Sequence, residues 1–118
     1  MKQVTQTIMV GDGSELPGNC LQAAVASLLE LDLDAVPHFA LHADWLEQLV
    51  EFATQRGYRI VYRWPHKGAQ EPEFGLIFGQ SVRGVLHAVV ITNGQIWDPH
   101  PSRDGLVSVA NYVVWEAL

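Results

Sequence analysis

The chain has 118 residues, 48% of them hydrophobic and 17% charged, the length and balance of one globular domain rather than a disordered or fibrous chain. Its net charge of −6 and scattered Lys and Arg argue against nucleic-acid binding, and no apolar run nears the roughly 18 residues of a membrane span. Lys2 is followed by no apolar stretch, so no signal peptide is expected, and the single cysteine, which excludes an internal disulfide framework, suits a reducing cytoplasm.

Val4–Val10 alternates in polarity and predicts a strand. The Gly-rich stretch 11–18 is a loop. Cys20–Glu30 predicts a helix with Asn19 as N-cap and Val25, Leu28 and Leu29 as its apolar stripe. Leu31–Phe39 is the exit segment, broken at Pro37. Asp44 opens a second helix, with Glu47 completing a capping box. Trp45, Leu46, Leu49, Val50 and Ala53 line one face of it, and Gly57 ends it. Strands follow at Tyr58–Arg63 and Phe74–Gly79, separated by the loop Trp64–Glu73. A turn at Gln80–Gly84 leads to Leu86–Thr92 and Gln95–Asp98, which form a hairpin. After the loop Pro99–Gly105, a weak terminal strand spans Tyr112–Trp115. Helices first and a mainly antiparallel sheet afterwards predict an α+β fold in a single domain, 1–118.

The chemistry concentrates at two places. Gly18-Asn19-Cys20 sets a thiol on the first turn of the helix. A helix N-terminus carries partial positive charge, which favours thiolate over thiol. The second place is the hairpin. Asn93-Gly94 between alternating apolar residues is a two-residue type I′ turn signal. That turn sets Thr92 opposite Gln95 and Ile91 opposite Ile96, and further out Val89 opposite Asp98 and His87 opposite His100. His87 and Asp98 then share a face as diagonal neighbours, within side-chain reach. A carboxylate there holds one imidazole nitrogen and leaves the other for a thiol, the base-and-orienter logic of a catalytic triad. A slip of one residue would separate the two.

Gly-Asn-Cys-x-x-Ala-Ala, then His87-Ala88-Val89-Val90 and Asp98-Pro99, resembles the papain-like cysteine peptidase superfamily, most of all its small bacteriocin-leader peptidases. The chain also resembles short bacterial and phage proteins that open with a Gln-Thr strand, a Gly-Asn-Cys helix and a Val-Pro-x-Phe exit. The resemblance covers most of the chain through short motifs. It implies a papain-like fold, Cys20 as nucleophile, His87 as general base and acid, Asp98 as orienting group, and no cofactor. Where the papain pattern has an oxyanion-hole Gln, this chain has Ser14. Gln6, further back on the first strand, is the replacement candidate, with the Cys20 N–H as second donor. Gly-Asn-Cys-Leu is also similar to ovarian-tumour-type deubiquitinases, whose histidine lies in a different setting.

Plainer readings stand beside these. Cys20 can be a small buried apolar residue, and His87 a strand histidine capped by a carboxylate. Gln6 can be an exposed strand residue without function. The five histidines do not show the paired short spacing of a zinc site, so no metal is expected. His100 can line a substrate cleft or sit exposed between prolines, and Trp97 lies on the face opposite His87. Two functions follow. One is a cysteine-dependent hydrolase of peptide, isopeptide or related amide bonds, working on a protein or peptide through a thioester, with an acyl-transfer variant. The acidic balance favours a basic or neutral substrate. The alternative is a catalytically idle papain-like fold acting as a protein-interaction module.

Overall fold

The computed structural model describes residues 1–10, 17–68 and 70–118. Ser14 lies outside the described residues. The elements are α1 (Cys20–Leu29), α2 (Trp45–Gln55), β1 (Tyr58–Arg63), β2 (Phe74–Gln80), β3 (Leu86–Thr92), β4 (Gln95–Trp97) and β5 (Ser108–Ala117), with 3-10 turns at Leu33–Ala35 and Phe39–Leu41 between the helices. This is an α+β fold in which both helices pack on one five-stranded sheet, ordered β1-β5-β2-β3-β4 with every pair antiparallel. Among the described residues no helix is long and apolar enough to cross a membrane.

The core lies between the helices and one sheet face. Leu21, Val25 and Leu28 of α1 and Leu49, Phe52 and Ala53 of α2 meet Leu76, Ala88, Val90, Val113 and Trp115 of the sheet. Phe39 meets Phe52 edge-on at 6.0 Å. The other sheet face carries a smaller cluster of Ile77, Val89 and Ile91, covered by Leu106 and Tyr112.

Four expectations for the N-terminal half need correction. Val4–Val10 joins no ladder. It runs as an irregular segment against α1, where the Val4 N–H donates to Ser27 Oγ and the Lys2 N–H to the Ser27 carbonyl. With that segment on its outer side, α1 is buried almost all round rather than along one stripe: Ala23, Ala26 and Ser27 are all fully enclosed. On α2 the buried face is Leu49, Phe52 and Ala53, while Trp45, Leu46 and Val50 stay exposed. Asp44 makes no backbone cap and instead accepts from Gln48 Nε2 at 2.9 Å.

The terminal strand is the largest revision. β5 is ten residues long and sits in the middle of the sheet, between β1 and β2. Its pairing with β2 shifts register at Phe78/Gly79, so a bulge lies opposite the residue that β3 pairs with Gly79, namely His87.

Candidate functional site

The hairpin register is as the turn chemistry predicts. Thr92 pairs with Gln95, Ile91 with Ile96 and Val90 with Trp97, around an Asn93-Gly94 turn with φ of 50° and 82°. The ladder stops there, and Asp98 follows β4 as the first residue of the loop. His87 Nε2 donates to Asp98 Oδ1 at 2.5 Å, and both side chains are buried.

Asp98 is held from three sides. Oδ1 also accepts the His100 N–H at 2.8 Å, and Oδ2 accepts the Gly105 N–H at 2.8 Å. Arg103 closes the loop behind it. Its guanidinium lies over the Trp97 ring at 4.1 Å and donates to the carbonyls of Asp98 and His100 and to Thr5 Oγ1. The carboxylate therefore has a fixed position before any ligand arrives.

At the other end of the site, Cys20 opens α1 and is half-buried. Asn19 occupies the N-cap position but makes no side-chain cap. It is buried, and its Oδ1 accepts the Thr7 and Ile8 N–H groups at 3.0 and 2.8 Å. Its Nδ2 donates to Thr7 Oγ1 and to Gln22 Oε1. Gln22 in turn donates to the Leu33 and Val36 carbonyls. The two amides tie the N-terminal segment and the exit turns to the start of α1, and so fix where Cys20 stands.

Cys20 and His87 come together: both line the two cavities at this end of the fold. With Nε2 committed to Asp98, Nδ1 is the ring nitrogen left for the thiol. Burial opposes the charged imidazolium, but hydrogen bonding to Asp98 and to Cys20, and their charges, outweigh it and raise His87 to about 9. Burial likewise opposes the Asp98 carboxylate, and the hydrogen bonds from His87, His100 and Gly105 outweigh it, leaving about 2.

These shifts predict the pH dependence of stability. A raised His87 stabilises the fold below its unfolded value of 6.5, and the contribution is lost as pH rises through about 9. A lowered Asp98 stabilises above its unfolded value of 3.8, and the contribution is lost as pH falls through about 2. The pair therefore supports the fold most between pH 3.8 and 6.5. The difference in melting temperature between the wild type and His87→Gln should be largest in that window and shrink on both sides. A difference that grows from neutral pH to pH 9 and beyond would contradict the ion pair.

Gln6, expected on an exposed strand, is instead buried at 5% exposure and lies on no strand. Its N–H donates to the Pro99 carbonyl, and its Nε2 donates to the Ile8 carbonyl at 2.9 Å. It lines one cavity beside Cys20 and His87, and its Oε1 is buried without a partner among the described residues. His100 stands edge-on to His87, with ring centres 6.1 Å apart. Its Nδ1 accepts the Ser102 N–H, and desolvation followed by the Arg83 charge holds its basicity down. Sequence reasoning does not single out Gln22, Arg83 and Arg103 as shaping the site, because most of their partners lie in distant segments.

Among the described residues no group of His, Cys, Asp and Glu is arranged to hold a metal ion, and His38 instead bonds the Pro17 carbonyl through Nε2. Comparison of the chain with protein-family models, with curated proteins and with solved structures finds no match. The chemistry of the site rests on its own residues.

Proposed function

We propose that the chain is a cysteine-dependent hydrolase of peptide, isopeptide or related amide bonds, built on a papain-like fold. The observation that carries this reading is a buried imidazole whose Nε2 is committed to a fixed carboxylate, beside a thiol at a helix N-terminus. The Cys20 thiolate attacks the carbonyl carbon, and the electron pair moves to the carbonyl oxygen. The Cys20 backbone N–H, at the open end of α1, and the second Nε2 hydrogen of Gln6 are the oxyanion donors. Collapse breaks the C–N bond, and the His87 imidazolium gives its proton to the departing amine. Water then attacks the thioester while His87 takes a proton. The acid leaves and the thiol is restored. An amine in place of water gives acyl transfer by the same steps.

Alkylation of Cys20 by iodoacetamide tests this at mildly acidic pH. A free thiol with a pKa of about 8.5 is about 0.3% thiolate at pH 6. An ion-paired thiolate reacts faster than that, although its intrinsic nucleophilicity is lower. His87→Ala should slow alkylation at pH 6 by about tenfold or more. Equal rates in the two proteins, both at the level of a small free thiol, would overturn the hydrolase reading and leave an idle fold.

A further inference from the structure

Cys20 lines two cavities, one apolar and one with polar groups set in its wall. The first, of about 260 Å³, is walled by Leu21, Trp45, Phe78 and Ala88. The second, of about 320 Å³, sets the polar groups of Gln6, Arg83 and His100 among Val10, Pro17 and Val85. Cys20, Ala40, Leu86 and His87 line both, so a group bonded to the sulfur has a cavity to either side of its attachment.

We propose that this site takes an amide whose acyl side is apolar and whose amine side carries an N–H and, close by, a carboxylate, as in an N-acyl amino acid or the last bond of a peptide. The inference rests on the hydrolase reading and specifies its substrate. Besides the reacting pair, the side chains of the apolar cavity are hydrocarbon or aromatic, with the Trp45 indole N–H as their one polar group, so it fits a hydrocarbon or an aromatic side chain. The other cavity holds two features that call for a ligand. Gln6 Oε1 is a buried acceptor without a donor among the described residues, and an incoming N–H would satisfy it once the side chain turned that oxygen into the cavity. Arg83 is exposed, bonds only Ser102 Oγ among the described residues, and forms no ion pair with any of them. Its guanidinium is matched to a carboxylate. His100 bonds the same Ser102 Oγ as Arg83, and desolvation and the Arg83 charge hold its basicity down. The net charge of −6 disfavours anions at long range, so Arg83 acts locally, on a carboxylate already delivered.

Ratios of alkylation rates on the full chain test this independently of hydrolysis. The probes are iodoacetate, iodoacetamide and N-hexyl iodoacetamide, each normalised to its rate with glutathione. His87 in its charged form also favours iodoacetate, so the decisive comparison is between variants at one pH. Arg83→Gln should lower the iodoacetate to iodoacetamide ratio by about threefold, the scale of a partly exposed charge pair, and Arg83→Lys should restore most of it. N-hexyl iodoacetamide should outpace iodoacetamide in the wild type, and Trp45→Ala should shrink that preference. Circular dichroism of each variant checks that the helices remain. Fast, His87-dependent alkylation with ratios unchanged by either substitution would overturn the two-armed substrate while leaving the hydrolase reading intact. Slow alkylation by every probe, insensitive to His87, would overturn both.

Discussion

Asp98→Asn should lower turnover of an amide substrate on the order of 10³–10⁴-fold while leaving Cys20 and His87 in place. The carboxylate accepts three hydrogen bonds, from His87 Nε2, the His100 N–H and the Gly105 N–H. An amide has one acceptor oxygen and two donor hydrogens. If its oxygen serves His87 and His100, its NH₂ meets the Gly105 N–H donor to donor. If it turns round, the NH₂ faces His87 Nε2 and drives the ring proton to Nδ1, on the side of the thiol. Either arrangement leaves a buried donor unsatisfied at a cost of about 1–3 kcal/mol. The variant should therefore show a lower urea midpoint as well as weaker alkylation at acidic pH. An Asp98→Asn protein with the wild-type pH profile of alkylation would remove Asp98 from the orienting role, whatever happened to its stability.

Gly79→Ala should be the most destabilising single methyl in the sheet. A Cβ at Gly79 falls 1.9 Å from the Ser108 carbonyl oxygen and 3.0 Å from its carbonyl carbon. Those atoms belong to the backbone of the central strand β5, so they cannot swing aside as the tip of a side chain can. Moving them disturbs the Gly79–Val109 and Gln80–Ser108 pairs on one side and the Gly79–His87 pair on the other. Overpacking of this kind costs about 3 kcal/mol or more where the backbone must shift. That is a large share of the roughly 5–15 kcal/mol that holds a domain together. Gly94→Ala is the control. Its turn position has φ of 82°, yet nothing lies within 4 Å of the added Cβ, so only backbone strain of about 1 kcal/mol is expected. Urea denaturation of the two variants side by side should separate them clearly. A Gly79→Ala midpoint equal to that of Gly94→Ala would mean that β2 and β5 do not approach here. Because Gly79 pairs with His87, the same substitution should also slow Cys20 alkylation.

Local rules carried the chain a long way. The Asn93-Gly94 turn fixed a hairpin register in which His87 and Asp98 share a side, because a two-residue turn permits one pairing and strand alternation does the rest. The same logic gave α1 its start at Cys20, and β1 and β3 their observed bounds. Tertiary structure decided what distant segments share. An alternating run at Val4–Val10 has the period of a strand, but its backbone bonded to Ser27, Asn19 and Pro99 rather than to a strand edge. Asn19 has the chemistry of a cap and of a buried amide hub alike, and its neighbours chose the hub. Trp45, Leu46 and Val50 fit a helical stripe, yet α2 rotates to put Phe52 against Phe39, a contact between segments with no common periodicity. β5 looks weak by itself and becomes central because it finds a partner on each side. Gln6 and Arg83 come to line one cavity with Cys20 through the same long-range packing. Periodicity and turn chemistry are written in consecutive residues and can be read there, whereas an empty pocket wall is defined by segments that meet only once the chain has closed.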